Sequence, residues 1–274
     1  MPNHQEKKFE YVLKVGKQAA ANLDLQHEIF KKDTFAQLKK AGLKKDMVVW
    51  DVACGSGIMT EYLSEQVGPQ GTVYAIDIRE EQLQITKNRI EKAGHTNVEF
   101  ILEDINNLDI RKYKQADIIH SSFLLMHLAQ PQKAIEIMAS LLKPGGVLSM
   151  HESSFGSAGK NCGADVENLY RLFVQYGKTK GFDYDIGRKI ATFCKDLGIF
   201  KEVHSIEKGY ETTEAMKNLI TSRIEEAGDS LINSNLITAE EYAELKANLT
   251  LFLKSEKSNQ CDFTKQQNYI LAYR

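Results

Sequence analysis

The residues best suited to chemistry are acids and glycines spaced along the first half of the chain. In "VVWDVACGSGIMT", Val48 to Thr60, an apolar run broken only by Asp51 leads into Gly55 and Gly57, one residue apart. Glycines at such a turn let the backbone approach a ligand where a Cβ would collide. A helix starting there adds free N–H groups and the positive end of its dipole. Taken alone, the pair fits a tight strand-to-helix turn equally well. Thr60 occupies the third position of a dinucleotide fingerprint, which is therefore incomplete. Asp77 lies 20 residues after Gly57, the offset at which an acid meets ribose hydroxyls. A carboxylate accepts from both vicinal hydroxyls at once, although Asp77 would also serve as a helix N-cap. Asp104, in "LEDINNL", is placed to accept from an adenine amino group.

Three further residues bear on proton chemistry. His127 is the candidate general base, since histidine titrates near neutral pH, and its alternative is a packed core histidine. His151 and Glu152 close a fifth apolar run. Strand alternation sends their side chains to opposite faces, and the expectation is that Glu152 faces the acceptor. It would bind a cationic substrate or cap the loop.

These residues need a scaffold that brings strand ends together. "MVVWDVA", "TVYAID", "NVEFIL", "ADIIHS" and "GVLSMHE" read as short buried strands bounded by turn residues. Between them, "REEQLQITKNRIEKAG" sets Leu83, Ile90 and Ala93 on one helical face and stops at Gly94. "PQKAIEIMASLLKPGG" sets Ala134, Ile137, Met138 and Leu141 on another. Such alternation specifies a doubly wound α/β fold, a parallel sheet with helices on both faces. Its ligands gather at the carboxyl ends of the strands, with Gly55, Asp77, Asp104 and Ser121. The stretch before Met47 is helical in pattern, with Phe30, Phe35 and Leu38 turned inward. After Glu152 come two more helices and the strand candidates "VHSIEKGYE" and "QQNYILAYR". Between those strands lies a helical insertion in which Thr238 and Glu241 form a capping box.

Composition excludes several classes. The chain has 274 residues, 42% of them hydrophobic and 26% charged, as in ordinary globular proteins. A net charge of -2 gives no footprint for nucleic acid. No run approaches the roughly 18 apolar residues of a membrane span, and the polar start "MPNHQEKKFE" is unlike a secretory signal. Cys54, Cys162, Cys194 and Cys261 are scattered, without the spacing of a metal or redox pair. The expectation is a reduced, cytoplasmic protein that binds no metal.

Together, "VVWDVACGSGIMT", "VYAIDI", "VEFILEDINNL", "ADIIHSSFLLMHL" and "LLKPGGVLSMHE" resemble the class I S-adenosylmethionine-dependent methyltransferases, most of all those acting on small molecules. The motifs run in order from Met47 to Glu152. The resemblance implies a Rossmann-like sheet of seven strands, mostly parallel, with an antiparallel last strand near 263–274. It divides the chain into a helical cap over 1–46 and a methyltransferase domain over 47–274. Within that domain, 47–152 binds the cofactor and about 153–258 forms substrate-side helices and a lid. S-adenosylmethionine is the implied cofactor and S-adenosylhomocysteine the product. Ala53, Gly55 and Gly57 would line its methionine end, with Asp51 near the amino group. Asp77, Ile78 and Gln82 would hold the ribose, Asp104 and Ile105 the adenine, and Ser121 the methionyl part through its backbone. Tyr11 and Gln26 match an upstream element that closes over the cofactor. Tyr170, on an aromatic helix, is a candidate for the acceptor wall. The expected activity is methyl transfer to an O or N atom of a small molecule. The alternatives are a macromolecular acceptor such as tRNA or protein, a dehydrogenase, and a module that binds the cofactor without catalysis. The absence of an N-P-P-Y segment after the fourth strand speaks against DNA or amide nitrogens.

Overall fold

The computed structural model describes residues 17–160, 162–210, 212–261 and 267–274. Its centre is a seven-stranded sheet, formed by β1 (Val48–Val52), β2 (Thr72–Asp77), β3 (Val98–Leu102), β4 (Ala116–Ser122), β5 (Leu142–Ser153), β6 (Glu202–Lys208) and β7 (Gln267–Tyr273). The spatial order is β3-β2-β1-β4-β5-β7-β6. Strands β1 to β5 pair in parallel, and β7 runs antiparallel between β5 and β6. The order reverses between β1 and β4, where the loops diverge and leave a crevice at the strand ends.

Two apolar layers sandwich this sheet. Val49, Val73, Ile118, Val147 and Leu271 pack against Leu38 of α1 (Lys17–Lys40) and against Leu63 and Val67 of α2 (Ile58–Val67). The opposite face carries Trp50, Tyr74, Ile119, Leu148, Met150 and Ile270. It is covered by α4 (Pro131–Leu141) and α6 (Ile190–Asp196), with α5 (Ala164–Lys180) completing the same apolar layer, and Met138, Ile190 and Tyr176 are fully buried. Alternation along each strand sends successive side chains to opposite layers.

Polar residues hold the joints. Asp117 accepts from the Val48 amide at 2.8 Å and pairs with Lys143, fastening β4 to both neighbours. Gln37 of α1 donates to the carbonyls of Met150 and Ile270, so the first helix is bound to the sheet centre. The insertion between β6 and β7 is a helical pair, α7 (Glu214–Asn233) and α8 (Ala239–Lys254). The Thr238–Glu241 capping box starts α8, both of its reciprocal hydrogen bonds being formed.

Three sequence expectations are corrected by the packing. The segment "NVEFIL" is an edge strand, β3, with only Ile101 buried. Helix α3 (Glu80–Ala93) buries Gln82, Thr86 and Ile90, while Ala93 is exposed. Its inner face is polar because it meets the glycine loop and not an apolar layer. The four cysteines are not all thiols: Cys162 and Cys261 form a disulfide across 99 positions, their Cα atoms 5.0 Å apart. Only the fold brings this pair together, so local spacing carries no trace of it. Cys54 and Cys194 are free and buried. Among the described residues, no helix is long and apolar enough to cross a membrane.

Candidate active site

A cavity of about 280 Å³ opens at the carboxyl ends of β1, β2 and β4, and α1 and α7 roof it. Its first half is built on the glycine turn. Ala53 adopts φ +64°, and the amides of Ala53 and Cys54 both donate to the Ile76 carbonyl. Gly55 (φ +56°) and Gly57 (φ +81°) continue the left-handed turn. A Cβ on Gly55 would stand 3.2 Å from Leu23 of α1, and one on Gly57 would stand 2.8 Å from Thr86 Cα. The turn is closed from below, because Thr86 Oγ1 donates to the Gly55 carbonyl at 2.9 Å. Beside it, Cys54 packs its sulfur against Thr86, and burial pushes its thiol well above the usual range.

The acids are placed by this turn. Asp77 accepts from the Gly55 amide at 3.0 Å and from the Arg79 amide at 2.9 Å. Burial raises its pKa against those two hydrogen bonds. Asp51 is buried and accepts from Thr60 Oγ1 at 2.6 Å. Burial pushes Asp51 up to about 7, opposed by the Thr60 bond and helped by the nearby Asp77. Thr60 thus has a task of its own, holding the carboxylate ahead of the turn. Asp104 caps a short turn by accepting from the Asn106 amide. Gln82 and Ile105 complete this wall, with Ile78 at the rim. The amide oxygen of Gln82 is buried and has no hydrogen-bond partner among the described residues.

The second half is aromatic. Phe30, Phe123, Phe155, Phe173, Phe182 and Tyr184 line it together with His27, His127 and His151. Phe123 takes φ +54°, a conformation that a bulky residue holds only under local constraint. Its amide donates to the His151 carbonyl at 2.8 Å, and its ring lies 4.5 Å from that imidazole. The roof joins α1 to α7 by polar contacts. Arg223 donates to Gln26 at 2.5 Å, and Asn22 donates to Glu226.

Most of the sequence-derived residues converge on this cavity: Gln26, Asp51, Ala53, Gly55, Asp77, Ile78, Gln82, Asp104, Ile105 and His127 all line it. Gly57 lies one step behind, packed on Thr86. Tyr11 lies outside the described residues. Three residues are placed elsewhere. Ser121 is fully buried in β4 between Val52 and Met150, and it is Ser122 that lines the cavity. Glu152 turns away from the cavity: its Oε1 accepts from the Leu124 and Leu125 amides at 2.7 and 2.6 Å. Burial pushes that carboxyl up to about 8 against those bonds. His151, on the opposite parity, faces the cavity. Tyr170 packs against Phe155 at 5.5 Å and fills the layer behind, leaving Phe173 as the lining residue of its helix. His127 is edge-on to Tyr184 at 5.2 Å, and burial holds its pKa near 3. Sequence reading missed Asn22, Arg223 and Glu226, whose role depends on two helices about 200 positions apart. Counting strand parity from Asp51, through its register with His120 and Ser149, would have found Ser122 and His151.

A family profile described as a methyltransferase domain matches residues 43–215, more than half of the chain. The chain belongs to the class I S-adenosylmethionine-dependent methyltransferase family. A ubiquinone/menaquinone biosynthesis C-methyltransferase, UbiE, from Pseudomonas fluorescens is 30% identical over 156 residues, 55% of this chain and 60% of that protein. A demethylmenaquinone methyltransferase from Lactococcus lactis is 29% identical over 129 residues, 47% of this chain and 50% of that one. The chain therefore spans about half to three-fifths of these relatives. Among solved structures, a SAM-dependent methyltransferase from Aquifex aeolicus superposes with a TM-score of 0.52 at 24% identity, over 73% of this chain and 94% of that one. A phosphoethanolamine N-methyltransferase from Haemonchus contortus, bound to S-adenosylhomocysteine, gives 0.58 at 15% identity, over 95% and 60%. Both structural likenesses speak to the fold.

S-adenosylmethionine is the cofactor of this family, and the donor set here fits it. The side-chain-free turn at Gly55 leaves room that a Cβ would fill against Leu23. Asp77 and the unpartnered Gln82 oxygen offer acceptors for ribose hydroxyls, and Ile105 offers an apolar face to a purine.

Proposed function

We propose that this protein methylates a small, planar, hydroxylated acceptor, at the oxygen or at a ring carbon which that oxygen activates. The observation carrying this reading is the continuity of the cavity. A wall suited to an adenosyl group runs directly into one made of aromatic rings and histidines. Asp51, Asp77, Gln82 and Asp104 would hold the cofactor, which supplies a methyl group on a positively charged sulfur, ready for in-line displacement. The chain's own task is then positioning and exclusion of water, which account for much of the acceleration in such a transfer. Aromatic walls stack on a flat ring, and the α1–α7 roof shields it.

The names of the relatives add carbon to the oxygen and nitrogen acceptors expected from sequence. Nitrogen fits this cavity less well, because a cationic amine calls for a facing carboxylate. Glu226, the acid that α7 contributes to the lining, is held in the roof by Asn22. The roofed cavity also favours a small molecule over tRNA or protein. The test is transfer of labelled methyl from S-adenosylmethionine, offered separately to demethylated quinols, catechols, primary amines, bulk tRNA and protein. Label in the quinol or catechol products supports the proposal. Label confined to amines or macromolecules contradicts it.

A further inference from the structure

His151 sits in the aromatic half of the cavity, and the groups behind its ring decide which nitrogen can react. Its Nε2 is 3.0 Å from Gln267 Oε1, which also accepts from Ser153 Oγ at 2.9 Å. An amide oxygen carries no hydrogen, so the imidazole proton lies on Nε2 and Nδ1 keeps its lone pair. Nδ1 is on the side of Ser122, a lining residue whose Oγ is 3.5 Å away. The ring has little freedom to turn. It stacks on Tyr269 at 4.2 Å and 15°, with Phe123 at 4.5 Å and Phe30 edge-on at 5.3 Å.

We propose that His151 accepts the proton of the methyl acceptor's hydroxyl through Nδ1, and that Gln267 is the positioning residue that sets its tautomer. The proposal rests on the small-molecule methyltransferase reading above. In the step, the hydroxyl O–H bond breaks and leaves its electron pair on oxygen. The proton forms an N–H bond to Nδ1, and the imidazolium later returns it to water. The oxyanion formed alongside offsets the new positive charge. The titratable groups facing this ring are His27 and Asp33 from α1, His120 from β4, and Tyr269 from β7, to which Tyr210 is hydrogen-bonded. Burial holds His151 near 3, so the ring is neutral at neutral pH, and the oxyanion forming beside it is what raises its affinity for the proton.

The tautomer can be read directly by nitrogen NMR on histidine-labelled protein bound to S-adenosylhomocysteine, with His151 assigned by its loss in His151→Phe. The expected result is a protonated Nε2 and a bare Nδ1, shifting toward a tautomer mixture in Gln267→Leu. In parallel, 4-nitrophenol and 4-nitroanisole are titrated into the same complex. The wild type is expected to favour the phenol by about tenfold, the worth of one good hydrogen bond. His151→Phe should lose that preference while keeping its affinity for S-adenosylhomocysteine. A protonated Nδ1 in the wild type overturns the proposal without needing any variant to fold. So does an absent preference in the wild type, or one that persists in His151→Phe. Failure of the wild type to bind S-adenosylhomocysteine would instead remove the underlying reading of the site.

Discussion

Replacing Gly57 by alanine isolates the contact that shapes the glycine turn. Gly57 has φ +81° and ψ 6°, a left-handed conformation that costs an L-residue about 1–2 kcal/mol. Its new Cβ would also stand 2.8 Å from both Thr86 Cα and Cγ2, and 3.0 Å from Thr86 Cβ. Part of that obstruction is backbone, so no rotamer change relieves it. Forcing one methyl into a packed site costs about 1–3 kcal/mol more. The reduced freedom of the unfolded chain returns about 0.4–1 kcal/mol, leaving a loss of about 1–5 kcal/mol. Gly94 supplies the control. It is also left-handed, with φ +75°, but nothing lies within 4 Å of its Cβ position. Gly94→Ala should therefore cost only about 1 kcal/mol, the conformational term alone. Urea unfolding followed by circular dichroism measures both variants, and titration with S-adenosylhomocysteine measures the site. Gly57→Ala should also bind at least about tenfold more weakly, because the turn it displaces carries the Gly55–Asp77 hydrogen bond. Equal destabilisation of the two variants would refute the claim that Thr86 holds the turn.

Further outcomes follow from the same structure. Stability should climb from about pH 4 to 6.5, because burial holds His27 and His120 near 4 and His127 and His151 near 3, so only the unfolded imidazoles carry protons there. It should then fall toward pH 8, since the unfolded carboxyls are ionised while folded Asp51 and Glu152 hold protons to about 7 and 8. Glu152→Gln should flatten that descending limb in pH-dependent melting, and an unchanged limb would count against a buried neutral carboxyl. Arg223→Ala should loosen the α1–α7 roof and raise the rate of S-adenosylhomocysteine release by about tenfold or more, as for one charge-assisted bond; stopped-flow displacement would read an unchanged rate if the roof does not gate the site. Denatured, unreduced protein should show two reactive thiols, Cys54 and Cys194, and four after reduction. In the chain-entropy picture the cross-link contributes about 4–5 kcal/mol over its 99-residue separation, so an unmoved unfolding midpoint on reduction would argue against its formation.

Much of the scaffold was legible because local patterns carry it. Short β-branched runs, the helix stop at Gly94 and the Thr238 capping box each depend on neighbours within a few residues. The first half of the cavity was legible for a related reason. Asp51, Gly55, Asp77 and Asp104 sit at strand ends that a doubly wound fold must gather. The aromatic half was not. Glu152 and His151 are adjacent, and a one-residue error in parity exchanges a cavity wall for a buried cap. Thr60 looked like a missing glycine, yet its hydroxyl serves Asp51. The roof pairs residues about 200 positions apart, and the disulfide spans 99. No periodicity encodes such meetings, which arise only when helices dock on the finished sheet.

The most direct test of the central claim is a calorimetric titration of the protein with S-adenosylhomocysteine and with NAD, repeated on Asp77→Ala. One molecule of S-adenosylhomocysteine should bind per chain, NAD should give no heat, and binding should weaken about tenfold or more without the Asp77 carboxylate. Binding of NAD in its place, or affinity for S-adenosylhomocysteine indifferent to Asp77, would contradict that claim.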